Sequence, residues 1–188
     1  MYRRPTGSTY HNPMKKATER MPLNPGQTAE ADPRAITDGR TLVLTRMLNA
    51  PRELVFQAWT DPKHLVHWWG PSDFTLPHCE QDFRLGGNYR FCMRSPDGSD
   101  HWVRGEYTYI DPPSRLVFTW LREDAEGDIW CDTVVSITLE EQGGRTKLIL
   151  EQTTFATVAH CKEHAFGWNQ CLDRLVHFVE RSTNNLER

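Results

Sequence analysis

His160 and His164 lie four residues apart and bracket Cys161, Lys162 and Glu163 in an H-x-x-E-H pattern. On a helix this spacing sets both imidazoles on one face, where they can share a metal ion while the glutamate acts as general base. No downstream acidic ligand accompanies them, and they fall in the polar first turns of an amphipathic segment. The expectation is therefore a solvated helix face and no metal site. His64 and His67, three apart beside Trp68 and Trp69, read the same way. The five cysteines, at 79, 92, 131, 161 and 171, form no C-x-x-C pair and are odd in number. They read as reduced thiols of a cytoplasmic protein, neither a disulfide framework nor a zinc site. The chain has no nucleophile elbow, phosphate loop or dinucleotide fingerprint, so no residue is assigned a catalytic role and no cofactor is implied.

The aromatic residues carry more information. All seven Trp and all eight Phe lie after residue 40. As a set they imply an aromatic-walled pocket, because small-molecule sites are concave, mostly apolar and studded with a few polar groups. The candidate lining is Trp68, Trp69, Phe83, Tyr89, Phe91, Phe118, Trp120, Phe166, Trp168 and Leu172. Thr133 and Gln152 alternate with apolar residues and are the candidate hydrogen-bonding groups inside it. Trp68 and Trp69 end a short helix just before Gly70-Pro71, the place for a gate. Asp82 and Arg84 flank Phe83, and with Glu80 they read as an exposed ion-pair face of little energetic weight.

Long elements are needed to hold such a lining. From Thr157 to Glu180, Ala165, Trp168, Leu172, Leu175, Val176 and Val179 recur at spacings of three and four, which predicts a long helix with one apolar face. Gly167 interrupts it, at a cost of about 1 kcal/mol relative to alanine, and raises the question of a close approach there. A leading strand is predicted at 41–48. Two short helices follow, each opened by a proline, Pro51 and Pro62, and the second ends at Trp69. From Phe74 the period changes to two. Turn signals then separate six strands at about 74–83, 88–95, 101–110, 114–121, 130–140 and 145–152, joined by connections short enough for an antiparallel meander. Tyr89/Phe91/Met93, Leu116/Phe118/Trp120, Val135/Ile137/Leu139 and Leu148/Leu150 are the expected inner sets. Pro77 marks the 74–83 strand as an edge or a bulge.

The chain has 188 residues, 38% of them hydrophobic, enough for one domain with a real core. Residues 1–39 hold five prolines, three glycines and no Trp or Phe. They read as a disordered tail, with Met14 and Met21 as alternative starts. The domain is expected over 40–182, followed by a short tail, 183–188. Residues 1–39 carry six Lys/Arg against four Asp/Glu, and the remainder sixteen against twenty-one. A mildly acidic domain with no basic stripe argues against nucleic acid as the partner. No run approaches the roughly 18 apolar residues of a membrane span.

The order strand, two short helices, six strands, long helix, with the words RTLVLTRMLNAPRELVFQAWTDPKHLVHWWGP (40–71), DFRLGG (82–87), GEYTYIDPPSRLVFTW (105–120) and Gly167-Trp168, resembles the START/Bet v 1-like (SRPBCC) superfamily. Within it the chain is similar to the group named for the activator of heat-shock protein 90 ATPase. The resemblance covers about residues 40–180 and is to that activator's C-terminal domain. The NxNNWHW stretch of the activator's other domain has no counterpart here. The resemblance implies an α+β helix-grip fold, a curved seven-stranded antiparallel sheet around a long C-terminal helix. It also implies a cavity between sheet and helix for a small hydrophobic or amphipathic molecule. A cofactor-free cyclase or hydrolase using the same cavity, and a co-chaperone-like protein-interaction module, are the alternatives. A protein partner and a homodimer are both compatible with it.

Overall fold

The computed structural model describes residues 35–37 and 39–186. The tail expected over 1–39 lies largely outside the described residues. The elements run β1 (Ala35–Thr37), β2 (Leu42–Leu48), α1 (Arg52–Thr60), α2 (Pro62–Trp68), β3 (Thr75–Gln81), β4 (Asn88–Arg94), β5 (Asp100–Asp111), β6 (Arg115–Glu123), β7 (Ile129–Gln142), β8 (Arg145–Thr153) and α3 (Val158–Leu186). All strands belong to one antiparallel sheet in the order β1-β2-β8-β7-β6-β5-β4-β3. The seven expected strands are all present. The eighth, β1, adds a three-residue edge that pairs Ala35–Thr37 with Leu42–Leu44.

Alternation decides which face is inside. Leu42, Leu44 and Leu48 on β2, Tyr89, Phe91 and Met93 on β4, Leu116, Phe118 and Trp120 on β6, Val135, Ile137 and Leu139 on β7, and Leu148 and Leu150 on β8 are all buried. Their partners at odd steps are mostly part-exposed or exposed, as expected of a sheet covered on one side. Pro77 sits on the terminal strand β3, where the register to β4 shifts between Thr75 and His78. It is thus at an edge and in a bulge, the two places a residue without an N–H is tolerated.

Helix α3 covers the inner face with Ala165, Trp168, Leu172, Leu175 and Val179, and continues to Leu186, past the end of that apolar stripe. Two buried or half-buried arginines fasten it. Arg46 of β2 donates from Nη2 to Asn169 Oδ1 at 2.6 Å and from Nε to Asp173 Oδ1 at 3.0 Å. Arg174 donates from Nη1 to the carbonyls of Gly70, Pro71 and Phe74 at 3.0, 2.8 and 3.1 Å, which ties the turn after α2 to α3. The short helices depend on such contacts, because helices of this length do not hold alone in water. Asp61 caps α2 by accepting from the Lys63 amide at 2.9 Å, and Trp68 Nε1 donates to Ala58 O at 2.9 Å, joining α2 to α1.

Two glycines behave oppositely. At Gly167 a Cβ would meet nothing nearer than Pro71 Cγ at 3.9 Å, an ordinary contact, so no close approach requires the glycine. At Gly105 on β5 a Cβ would fall 1.9 Å from the backbone oxygen of Thr119 and 2.7 Å from Tyr89 Cε1. The ladder between β5 and β6 is irregular nearby, and Tyr89 reaches across to donate its hydroxyl to that same Thr119 oxygen at 2.7 Å. Gly167→Ala is therefore expected to stabilise the protein by about 0.5–1 kcal/mol. Gly105→Ala is expected to cost about 3 kcal/mol, because the clash is with backbone that cannot move aside. Urea denaturation midpoints at unchanged m-values check both signs.

Candidate functional site

Between the sheet and α3 the aromatic side chains meet edge to face and at tilted angles. Trp59 lies 4.7 Å from Trp68, 5.9 Å from Trp69 and 6.0 Å from Trp168, measured between ring centroids. Trp69 lies 5.1 Å from Phe91, 5.8 Å from Trp120 and 5.8 Å from Trp168, and Trp120 lies 5.0 Å from Trp168. The chain of rings continues from Phe91 to Tyr89 at 4.9 Å, then to Phe118 at 5.7 Å and Tyr107 at 5.5 Å. It ends at half-buried Phe83, which touches Tyr107 and Phe56.

The polar groups expected inside are bonded to one another. Trp168 Nε1 donates to Gln152 Oε1 at 2.7 Å, and Gln152 Nε2 donates to Thr133 Oγ1 at 2.8 Å. Thr133 Oγ1 donates to Trp120 O at 3.2 Å. An indole can only donate, so the amide oxygen of Gln152 must face Trp168. Three other indoles have no such acceptor. Nε1 of Trp59, Trp69 and Trp120 is buried with no hydrogen-bond partner among the described residues.

The structure thus brings Trp68, Trp69, Tyr89, Phe91, Phe118, Trp120, Thr133, Gln152, Trp168 and Leu172 into one interior. Phe83 sits at its margin. Phe166 is half-buried and makes no ring contact among the described residues, because two helical residues turn about 200° and point it away from the face that carries Trp168. Trp68 and Trp69 are 0% and 3% exposed and belong to the packed interior, which removes them from the role of a surface gate.

Four residues outside the candidate lining matter here. Trp59 is central to the aromatic cluster. Tyr107 donates to Gln81 Oε1 at 2.6 Å, and burial pushes its hydroxyl pKa up. Arg122 continues the inner parity of Leu116, Phe118 and Trp120, and is 6% exposed. Its guanidinium lies 5.4 Å from the Trp130 ring centroid, its Nε has no partner among the described residues, and burial lowers its pKa to about 10. Cys131, opposite Arg122 on β7, approaches His164 Nε2 at 3.9 Å.

That last contact settles the histidine motif. His164 points inward and is 7% exposed, and its Nδ1 lies 2.9 Å from His160 O, so it donates there. His160 instead packs its ring on Trp130 at 5.3 Å. The expectation of a wholly solvated face is thus corrected for His164, whose neighbours are Phe155, Trp120, Trp130 and Cys131. Burial first, and then the nearby Arg122 charge, lower its pKa to about 3, while burial raises the Cys131 thiol to about 11. Both groups are neutral near pH 7, the reverse of an activated thiolate–imidazolium pair. Asp82 and Arg84 form an exposed ion pair at 2.7 Å, as expected.

A groove of about 610 Å³ opens on the other side of the sheet, over the Gly105 gap. Of the expected pocket residues only Tyr89 lines it, and its two arginines pair with Glu123. Arg90 Nη2 donates to Glu123 Oε2 at 2.8 Å, and Arg104 Nε lies 3.2 Å from the other carboxylate oxygen. The unpartnered indole donors lie in the interior.

The family model described as activator of Hsp90 ATPase homolog 1-like protein matches residues 49–180. The chain belongs to this family. Its fold is the helix-grip fold of the START/Bet v 1-like superfamily, a ligand-binding fold. A crystal structure from Chromobacterium violaceum is 30% identical with a TM-score of 0.69, covering 75% of this chain and 97% of that one. An activator-family protein from Silicibacter pomeroyi is 27% identical with a TM-score of 0.69, covering 79% and 99%. A solution structure from Arthrobacter aurescens, 21% identical with a TM-score of 0.70, shares the fold. No curated protein is matched by the sequence. Among the described residues no helix is long and apolar enough to cross a membrane.

The buried histidine predicts a pH dependence. The unfolded chain takes up this proton near pH 6.5 and the folded one only near pH 3, so stability falls as the pH drops below about 6.5. The loss has a slope of up to about 1.4 kcal/mol per pH unit. Thermal midpoints from pH 7.5 to 5 should fall for the native protein and fall less for His164→Gln. Parallel curves would contradict the assignment.

Proposed function

We propose that this domain binds a small hydrophobic or amphipathic molecule in the aromatic interior between the sheet and α3, with Trp69, Tyr89, Phe91, Phe118, Trp120, Trp168 and Leu172 around it. One observation carries the reading: Nε1 of Trp59, Trp69 and Trp120 is buried without an acceptor, while the neighbouring Trp168 N–H is satisfied by Gln152. A buried donor without a partner costs about 1–3 kcal/mol. A ligand carrying hydrogen-bond acceptors among its apolar atoms supplies what these three lack. Membership of a ligand-binding fold supports the same reading.

The alternatives have less behind them. A cyclase or hydrolase needs an acid, a base or a nucleophile poised in the interior, and the Cys131–His164 pair is shifted toward two neutral groups. A protein-docking role, which the family's name points to, needs a continuous apolar surface. The exposed apolar side chains Met47, Val66, Leu85, Tyr109, Ile129 and Val158 are spread over separate elements. A cytoplasmic location accords with Cys79, Cys92, Cys131 and Cys171 being free thiols.

Native mass spectrometry of the protein purified from its own host tests the proposal. The expected result is a reproducible low-mass adduct that is lost on denaturation. A bare protein in repeated preparations, with no fluorescence change in any tryptophan when apolar molecules are added, contradicts it.

A further inference from the structure

Two arginines on the inner face of the sheet are almost wholly buried, Arg46 and Arg122, each 6% exposed. Helix α3 passes over both. For Arg46 it supplies Asn169 and the Asp173 carboxylate, at 2.6 and 3.0 Å. For Arg122 it supplies no hydrogen bond and no carboxylate at ion-pairing distance among the described residues. The Arg122 guanidinium has the Trp130 ring at 5.4 Å, and its Nε is unsatisfied. Cys131 and Val103 are its cross-strand neighbours, and Trp120 precedes it on the same strand face. Glu163 on α3 acts on it only through space.

An unpaired buried charge is strongly unfavourable, and a fold keeps one where something else brings the opposite charge. Resting on the interior site proposed above, we propose that the ligand is an amphiphile with one carboxylate, which Arg122 receives while the apolar body lies along Trp120 and Trp69. The planar guanidinium matches a carboxylate through two parallel hydrogen bonds. The surroundings fit a single negative charge. Cys131 and His164 are held neutral, and Glu163 nearby disfavours a second anionic charge such as that of a phosphate monoester. Arg122 therefore gives the ligand its orientation, carboxylate end toward the start of α3 and apolar end toward Leu172.

The test uses N-phenyl-1-naphthylamine, a neutral probe that fluoresces in apolar sites, displaced by decanoate or by decanol at pH 7.5. The two competitors share a chain length and differ in the charged end. In the native protein decanoate is expected to displace the probe at roughly tenfold lower concentration or better, the size of a charge-assisted contact. A site without a cation prefers decanol, because the ionised acid stays in water. Arg122→Met should remove the decanoate preference, keep probe binding and raise the melting midpoint of the ligand-free protein. Arg122→Lys should keep part of the preference. Decanol equal to or better than decanoate in the native protein overturns the carboxylate assignment and leaves the interior site standing. Probe fluorescence that never rises overturns both.

Discussion

The chain of hydrogen bonds from Trp168 through Gln152 to Thr133 determines how the long helix can sit on the sheet. Its two links, 2.7 and 2.8 Å, join α3, β8 and β7 at a buried point where each group has little choice of partner. Apolar packing alone is non-directional and would tolerate sliding of the helix. Burying a large aromatic side chain gains on the order of 5 kcal/mol from area at ~25 cal/mol per Å². A stranded indole N–H costs about 1–3 kcal/mol. Packing therefore wins at Trp59, Trp69 and Trp120 even with their donors unmatched, and the Trp168 link decides the register in which it wins. The other anchors, Arg46 on Asn169 and Asp173 and Arg174 on the turn after α2, lie along the same helix and hold it at further points.

A scaffold secured in this way can hold polar groups that the protein itself leaves unmatched. Three tryptophans and Arg122 leave donors unmatched between the sheet and α3, with Arg122 two residues beyond Trp120 on β6, and Arg52 Nε and His64 Nδ1 on the short helices are unmatched as well among the described residues. Other buried polar groups have protein partners, among them Thr146, which donates to Ala50 O at 2.7 Å, and Asn169, which donates to Ala165 O at 2.9 Å.

Most of the fold is legible in the sequence. A period of two from Phe74 onward, punctuated by turn residues, predicted strands whose ends shift by only one or two residues and whose inner faces are correct. Thr133 and Gln152 could be assigned to the interior by parity alone. The misses have physical causes. Arg122 escaped because a charged residue after Trp120 reads as the end of a strand, whereas β6 continues to Glu123. The meeting of Cys131 with His164, 33 residues apart, arises from the crossing of α3 over β7 and leaves no local signature. Gly105 carries no local signal either, because what demands a glycine there is the Tyr89 ring and hydroxyl crossing to the Thr119 oxygen. Phe166 was grouped with Trp168 by proximity in sequence, against the helical period.

The interior site is tested most directly by the indole N–H resonances of the uniformly ¹⁵N-labelled protein, assigned by single Trp→Phe variants and followed as decanoate is added. The predicted result is that the signals of Trp69 and Trp120, the rings along which the apolar body lies, shift and saturate together, while that of Trp68, already bonded to Ala58, moves least. Shifts confined to Trp102, the tryptophan on the opposite face of the sheet, or no saturable shift at all, would contradict the account.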